Sequence, residues 1–546
     1  MKNLKSILGL CFFILVSSKI SFTEISIPKF ITEEIFILED FKKDLKNWQH
    51  SLGISLSIDN LKGEKTLKVK YDFKETSSEE VNFDFKMPVV DIPYETVKFY
   101  LKGDSSGNKL QVWCSYKDKW ILLSTISLDN DSWQHIQIPA SEPFHFFYPE
   151  VKFLRFIISE KKKDSSGELL IKRIEMTKPQ LIKNPIKTKK IPSPVFNTWG
   201  GVGNEKDILI RINSAINDIG INLHIYPIGF PKENKDEYNN MLEKVANFIN
   251  LVKDTGIMIG ISFYNTPPEE FIKKYPDLFP KNELGQIYNK EACFLSPWHP
   301  ESYRIWRNHI VYSLNYLKNK NLLKYIKVIF LCPGEESEIS YEWSHIWAFD
   351  DYAIKAYRQY LMNFYKKDIK LLNTDWCTNY ASFEDINPPK SFNYNRERWV
   401  FLNFYRWSMF KWCVQLAEAV KIVYEPEYWL WLAHSVPTYP QRFYSARYPI
   451  FYIENLKKLG LIDYTHLPAL DWQSTEDIEL IKKLGVKIIG EVDVAPSPEK
   501  MKWTFEQSKK FGFDGVYIGI MENLFTDENK LSPAGEQCKK LISNWK

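Results

Sequence analysis

Residues 325–341 read YIKVIFLCPGEESEISY, and residues 486–494 read VKIIGEVDV. Each segment begins with an apolar run of the length typical of a strand that is buried on both faces, as in a parallel sheet covered by helices. Each run then ends in carboxylates. In proteins built on parallel strands, functional side chains lie at the carboxyl ends of the strands. The two segments therefore predict a parallel α/β architecture with chemistry at its strand ends.

The same pattern recurs along the chain after residue 193, where helical periodicity fills the gaps between strands. The predicted strands are Pro194–Thr198, Asn222–Tyr226, Met258–Tyr264, Ile326–Cys332, Tyr428–Ala433, Asp463–His466, Lys487–Glu491 and Gly515–Ile520. Eight strand–helix units predict a (β/α)8 TIM barrel over residues 194–546, with its longest insertion after the fourth strand. A doubly wound sheet is the alternative, and the sequence lacks the glycine-rich phosphate loop typical of many such sheets.

Residues 31–178 follow a different pattern, in which short β-rich segments alternate with turn sequences such as KGDSSGN at residues 102–108. The predicted strands are Ile54–Asn60, Thr66–Phe73, Thr96–Leu101, Leu110–Tyr116, Trp120–Ser124 and His135–Pro139. This spacing predicts an all-β jelly roll or sandwich. Residues 179–193 are rich in Pro and Lys and form the predicted linker to the barrel.

The chain begins with the features of an export signal. Lys2 and Lys5 precede an apolar run from Ile7 to Val16, and small residues follow it. This pattern predicts a signal peptide over residues 1–22 and a mature chain that starts between residues 18 and 26. The apolar run is too short to span a bilayer and no later run reaches about 18 apolar residues, so we expect a secreted or periplasmic protein without a stable membrane anchor.

The composition of the chain narrows the classes of protein to which it can belong. The net charge is only +4 over 546 residues, with acidic and basic residues interleaved, so no nucleic-acid partner is expected. Seven cysteines occur, and loss of Cys11 with the signal peptide leaves six whose wide spacing matches neither a zinc site nor a disulfide framework. No metal or cofactor is expected, and no G-x-S-x-G or H-E-x-x-H motif indicates a serine or metal hydrolase. The oligomeric state stays open.

The predicted strand ends supply carboxylates for acid–base chemistry. Glu335, Glu336 and Glu338 follow strand four, and Glu491 closes strand seven with Asp493 two residues beyond it. Glycosidic cleavage needs one carboxyl group that protonates the leaving oxygen and one carboxylate that attacks or activates water. Glu336 is interpreted as a solvated loop residue. Glu491 is interpreted as functional, because a lone carboxylate buried at the end of an apolar run costs free energy.

Other polar and aromatic side chains stand at the predicted strand ends. Each of them, taken singly, is more often structural, but gathered at one face they predict a pocket of stacking rings and hydroxyl partners for a carbohydrate. The candidate substrate-binding residues are Asn197, Trp199, Tyr226, Tyr264, Asn265, His434, His466, Trp472 and Glu522.

The insertion after strand four carries a recognisable sequence, AYRQYLMNFYKKDIKLLNTDWCTNYASFEDINPP at residues 356–389, followed by the helix sequence RWVFLNFYRWSMFKWCVQLAEAVK. With the loop YPDLFPKNELGQIYNKEACFLSPWHPESYR after strand three, it resembles the family 42 β-galactosidases and their relatives in clan A of the glycoside hydrolases. The resemblance covers residues 194–530. The matching positions include Ala356, Tyr357, Leu361, Tyr365, Leu372, Asn373, Trp376, Pro388 and Pro389.

That resemblance implies a retaining mechanism, with an acid/base glutamate after strand four and Glu491 in the nucleophile position. The Asn-Glu pair of clan A is absent, since Gly334 precedes Glu335 and Ser337 precedes Glu338. The segment GEESEISY also resembles the GE-x-x-Y of β-amylases, which places the acid at Glu338. Position directly after the strand favours Glu335. Both glutamates are retained as candidates, with Glu338 first.

The N-terminal segments LEDFKKDLKNWQ, VKFYLKGDSSGNKLQVWC and DSWQHIQIP resemble galactose-binding-like jelly rolls, a group that includes many carbohydrate-binding modules. Sugar binding and a plain spacer role both stay open for this domain. The whole sequence thus predicts a multidomain retaining β-glycosidase that acts on an oligo- or polysaccharide. The alternatives are an inverting β-amylase-like barrel hydrolase and a catalytically inactive carbohydrate-binding protein.

Overall fold

The computed structural model describes residues 33–89, 94–117, 119–140, 147, 150–161, 165–186, 188–264, 266–287, 294–334, 338–433, 439–468, 475–491 and 497–545. These residues form two antiparallel sheets followed by a closed barrel of parallel strands. The predicted signal peptide lies outside the described residues. Among the residues singled out from the sequence, the following also lie outside them: Asn265, Glu335, Glu336, His434, Trp472 and Asp493.

The N-terminal strands are β1 (Glu33–Glu39), β2 (Trp48–His50), β3 (Ile54–Leu61), β4 (Glu64–Asp72), β5 (Glu80–Lys86), β6 (Thr96–Lys102), β7 (Lys109–Tyr116), β8 (Lys119–Ser127), β9 (Trp133–Pro139), β10 (Val151–Ser159) and β11 (Ser166–Pro179). The six-stranded sheet has the order β3-β4-β11-β6-β9, with β1 also paired to β11, and the five-stranded sheet has the order β2-β5-β10-β7-β8. Every strand predicted in this region is present.

A shared hydrophobic core holds the two sheets face to face. Side chains alternate along each strand, so that one set points between the sheets. Phe156 of β10 and Phe99 of β6 meet there from opposite sheets, with ring centroids 5.8 Å apart. Phe83 of β5 stacks on the same Phe156 ring at 5.1 Å. This packing makes the N-terminal region a β-sandwich.

The barrel strands are β12 (Val195–Trp199), β13 (Leu223–Ile228), β14 (Met258–Phe263), β15 (Ile326–Leu331), β16 (Tyr428–Leu432), β17 (Tyr464–Pro468), β18 (Lys487–Glu491) and β19 (Gly515–Ile520). They close in chain order, with β19 paired in parallel to β12. All eight strands predicted from the sequence are confirmed, and closure excludes the doubly wound alternative.

Helices surround this barrel. They are α1 (Glu205–Ser214), α2 (Lys235–Val252), α3 (Glu269–Lys274), α4 (Pro300–Asn319), α5 (Asp351–Phe364), α6 (Ile369–Trp376), α7 (Arg396–Lys421), α8 (Tyr439–Ser445), α9 (Pro449–Lys458), α10 (Thr475–Lys483), α11 (Pro498–Lys510) and α12 (Pro533–Ser543). The predicted insertion after the fourth barrel strand contains α5, α6 and α7. None of the described helices has the length and apolar character needed to cross a membrane.

Helix α7 joins the barrel to the six-stranded sheet through buried ion pairs. Arg396 lies 2.7 Å from Glu33 of β1 and 2.9 Å from Asp375 of α6, and Arg406 lies 2.9 Å from Glu95. Burial alone would raise the pKa of Asp375, but the charge of Arg396 brings it well below its usual value. Removal of one member of a buried pair leaves the other charge uncompensated, at a cost of about 3–5 kcal/mol. The sandwich and barrel therefore satisfy each other's buried charges.

The Arg396→Met variant is expected to be destabilised by about 3–5 kcal/mol, because Glu33 and Asp375 stay buried without their cation. Thermal unfolding of the purified chain measures this as a lowered Tm. Lys273→Met removes an exposed ion pair with Glu269 and serves as the control, with no measurable change in Tm expected. Equal Tm values for the two variants would show that the interface ion pairs contribute no net stability.

The predicted linker lies against the barrel. The backbone N–H of Ile182 donates to Oδ1 of Asn455 at 3.1 Å, and the Tyr464 hydroxyl donates to the carbonyl of Pro192 at 3.1 Å. Ile191 is buried in the same cluster as the inward side chains of the barrel strands. Since β12 begins at Val195, this segment covers the amino-terminal end of the barrel and leaves the carboxyl end for the site.

Candidate active site

The interior of the barrel changes from apolar to polar along its axis. Inward side chains near the middle of the strands form one hydrophobic cluster, which includes Val195, Leu223, Ile225, Val328, Phe330, Leu430, Leu432, Tyr464, Ile489 and Tyr517. Because side chains alternate, the next inward position on a strand lies two residues further on. Those positions hold Asn197 on β12, His466 on β17 and Glu491 on β18. Polar chemistry is therefore concentrated at the carboxyl end.

Glu491 faces the barrel interior. A Cβ atom at the preceding Gly490 would lie 2.0 Å from Oγ of Ser508 in α11, so residue 490 faces the helix layer and residue 491 the opposite side. Glu491 stands level with Tyr517 of β19. Burial, and then the charge of Glu491, raise the pKa of the Tyr517 phenol. The Tyr517 ring stacks on His466 with a centroid distance of 5.0 Å, which makes an aromatic wall beside the carboxylate.

The loop after β15 returns to the barrel at Glu338. Glu338 forms a parallel bridge with Leu432 at the end of β16, and the backbone N–H of Ile339 donates to the Leu432 carbonyl at 2.9 Å. A Cβ atom at Gly334 would lie 1.9 Å from the carbonyl oxygen of Ser340. The tight return therefore requires glycine at residue 334, and this backbone has no room there for the asparagine of the clan A pair.

Glu338 is buried and held by two donors. Nη2 of Arg447 lies 2.5 Å from Oε2 of Glu338, and the Ser340 hydroxyl donates to the same oxygen at 3.1 Å. A guanidinium and a hydroxyl donor both favour the ionised form of a carboxyl group. Arg447 lies between α8 and α9, after the fifth barrel strand, and the sequence reasoning missed it. An arginine within a long aromatic segment was the only signal available.

Three further predicted residues lie on the first barrel strand and directly after the third. Trp199 donates from its indole N–H to Oγ of Ser262 at 2.9 Å, and its ring centroid lies 5.4 Å from that of Tyr264. Asn197 is fully buried, and neither its amide oxygen nor its nitrogen has a hydrogen-bond partner among the described residues. Buried amides are nearly always paired. The Asn197 amide is therefore available to hydrogen-bond to a water molecule or to a ligand group.

Two of the predicted residues lie elsewhere. The Tyr226 ring stacks on Phe248 of α2 at 4.4 Å, so it faces the helix layer, and its prediction as a residue of the carbohydrate pocket needs correction. Strand-end position alone did not reveal which face a side chain takes, since one residue changes the face. Glu522 is exposed after β19 and accepts a hydrogen bond from the backbone N–H of Gly203 at 2.9 Å. It lies at the rim.

The described part of the chain holds no group of three or more His, Cys, Asp or Glu residues arranged to bind a metal ion. The five described cysteines, which are Cys114, Cys332, Cys377, Cys413 and Cys538, are free thiols.

Comparison with known proteins identifies the barrel. Residues 230–488 match the model of glycoside hydrolase family 42, described as beta-galactosidase. No curated protein matches the sequence. Among solved structures, the catalytic domain of β-amylase from Paenibacillus polymyxa is 15% identical, with a TM-score of 0.54, and the match covers 65% of this chain and 100% of that one. The β-galactosidase from Marinomonas ef1 is 11% identical, with a TM-score of 0.47, over 64% of this chain and 59% of that one.

The match over residues 230–488 and the closed eight-stranded barrel define the class, and the chain is a glycoside hydrolase. Residues 230–488 of the barrel resemble family 42 of clan A, as the insertion after the fourth strand implied. The likeness to the β-amylase domain establishes the shared fold alone.

Proposed function

We propose that this chain is a retaining β-glycosidase that hydrolyses an oligo- or polysaccharide, with Glu491 as the nucleophile. The observation that carries the proposal is the inward position of Glu491 at the end of β18, beside Tyr517. The loop after β15 supplies the acid/base residue, for which Glu338 is the first candidate and Glu335 the second. Tyr264, Trp199 and Asn197 support sugar binding, since rings and an unpaired amide suit pyranose faces and hydroxyl groups. These three residues lie at the carboxyl ends of β12 and β14, at the mouth of the barrel.

The proposed reaction uses two carboxyl groups, one protonated and one ionised. Glu491 attacks the anomeric carbon while the acid gives its proton to the departing glycosidic oxygen, and a covalent glycosyl-enzyme forms. The acid, now a carboxylate, takes a proton from water, and the resulting nucleophile releases the sugar and regenerates Glu491. Retention requires the two carboxyl groups about 5–5.5 Å apart, and we expect this separation between Glu491 and Glu338, or failing that Glu335.

The proposed activity is tested with purified protein and a panel of aryl β-glycosides that begins with the β-galactoside, because of the family description. NMR of the first product gives the stereochemistry. A β product shows retention and supports the proposal. An α product would instead support the inverting candidate, which rests on the resemblance of Glu338 and Tyr341 to the β-amylase motif. Absence of turnover on every glycoside would leave the catalytically inactive alternative.

The ion pair between Arg447 and Glu338 provides a test of the acid. If Glu338 is the proton donor, Glu338 should keep its proton to higher pH in the Arg447→Met variant, because the ionised carboxylate has lost a stabilising cation. The alkaline limb of the kcat/KM profile should then move to higher pH. Arg304→Met on the exposed face of α4 is the control. An unmoved limb with intact activity would assign the proton donation to Glu335.

We also propose that the chain is exported, on the strength of its first 22 residues. Protein recovered from the exterior or periplasm of the native host should begin between residues 18 and 26, as read by N-terminal sequencing. Recovery of the exported chain with Met1 intact would contradict cleavage of a signal peptide.

A further inference from the structure

The outer face of the five-stranded sheet carries large apolar side chains in contact with solvent. Trp120 and Leu122 of β8 are 38% and 41% exposed. Trp113 of the neighbouring β7 lies directly opposite Leu122, and its ring is half-buried on the same face. Exposed apolar clusters of this kind mark binding surfaces more often than isolated surface residues do. We call Trp113, Trp120 and Leu122 the platform.

Neighbouring polar groups fix the rings of the platform. The guanidinium of Arg155 lies 3.9 Å from the centroid of the Trp120 ring, and two hydrogen bonds of 2.8 and 2.7 Å tie it to Asp84. The indole N–H of Trp113 donates to Oε1 of Gln111 at 2.9 Å. A ring that is already ordered loses little conformational entropy when a ligand stacks on it. The ion pair with Asp84 also compensates the charge of the Arg155 guanidinium that lies over the Trp120 ring.

The platform lies close to the rim of the barrel mouth. The turn between β7 and β8 contacts Glu476 at the start of α10, where the Tyr116 hydroxyl and the Lys117 ammonium both bind the carboxylate. Helices of a (β/α)8 barrel begin at the carboxyl end of the strands, which is the mouth. Trp120 pairs with Ser115, one position from this turn. The platform therefore lies beside the rim of the barrel mouth, next to the candidate active site.

We propose that the platform binds a neutral glycan chain, part of which enters the barrel mouth. This inference rests on the proposed function and names a second binding surface for its polymeric substrate. Pyranose rings present flat C–H faces that pack on indole rings, and their hydroxyl groups can bond to Gln111. Nucleic acid would need unpaired cations, whereas Arg155 is paired with Asp84. A neutral polysaccharide is the occupant that this surface fits.

The test uses full-length protein carrying Glu491→Gln, so that the polymer is not cleaved, in native gels that contain soluble galactan, xylan or mixed-linkage β-glucan. The parent is expected to be retarded by at least one of these polymers. Trp120→Ala should lose the retardation, and Trp120→Phe should retain most of it. The matched control is Trp503→Ala, which removes a Trp that is 39% exposed on α11. Equal Tm values establish that the variants are folded.

Kinetics with otherwise wild-type protein separate the platform from the site. Trp120→Ala should raise KM for the retarding polymer by about 5–10-fold, a size typical of one aromatic contact, and leave kcat/KM for small aryl glycosides unchanged. The proposal would be overturned if Trp120→Ala were retarded as strongly as its parent. It would also be overturned if no polymer retarded the parent. Loss of the proposed function has a different signature, which is absence of aryl-glycoside hydrolysis while gel retardation persists.

Discussion

Replacement of Glu491 by Gln is expected to lower turnover of every glycoside substrate by about 10⁴-fold or more, as loss of a covalent nucleophile does in other hydrolases. An amide cannot attack the anomeric carbon, yet it has almost the same size as the carboxyl group. The variant should therefore keep the Tm of the parent. The measurement is steady-state hydrolysis of an aryl glycoside with an activated leaving group. Glu506→Gln on the exposed face of α11 is the matched control, and it should keep full activity.

A 2-fluoro glycoside provides the direct evidence for the nucleophile. The fluorine slows both steps, and an activated leaving group restores the first, so the glycosyl-enzyme accumulates. Mass spectrometry of the digested protein should find the sugar on the peptide that contains Glu491. Attachment at another carboxylate would remove Glu491 from this role. Full turnover by the Glu491→Gln variant would do the same, whatever the site of labelling.

The Glu338→Ala variant is expected to lose about 10²–10⁴-fold in kcat/KM on substrates with poor leaving groups and far less on activated aryl glycosides. Poor leaving groups need the proton that the acid supplies, whereas activated phenolates depart without it. Added azide should restore turnover of the activated substrates, because it attacks the glycosyl-enzyme without help from a base. Formation of a glycosyl azide with retained configuration, identified by NMR, completes the measurement.

Glu335→Ala is the matched comparison, because it removes the same side chain three residues earlier in the same loop. We expect only modest effects from it. The reverse pattern would move the acid/base assignment from Glu338 to Glu335 and leave the role of Glu491 untouched. Equal and small effects from both variants would contradict a donor in this loop. The contact between Arg447 and Glu338 makes this comparison informative, since that contact favours an ionised Glu338.

The barrel was predictable because its signal is local. A strand buried on both faces needs an apolar run of limited length, and VIFL at residues 328–331 or KIIG at residues 487–490 has that form wherever the neighbouring strands lie. Glu491 could be chosen for the same reason, since it closes such a run. Five strands of the sandwich, β1, β2, β5, β10 and β11, were not predicted, although EVNFDFK in β5 alternates regularly.

Other features depend on contacts that no local pattern contains. The side of the strand taken by Tyr226 follows from a shift of one residue, and its ring therefore packs on Phe248. Arg447 reaches Glu338 only because the segments after the fourth and fifth strands meet at the closed mouth. The buried pair of Arg396 and Glu33 likewise exists only once the sandwich lies on α7.

The sequence by itself determined the eight barrel strands, their order and the carboxylates at their ends, because burial of apolar runs and side-chain alternation act over a few residues. The tertiary structure decided which groups meet at the mouth. It placed Arg447 beside Glu338, required glycine at residue 334 and brought the turn after β7 to α10. These contacts join residues far apart in the chain, and their geometry is fixed only when the barrel closes and the sandwich packs against it.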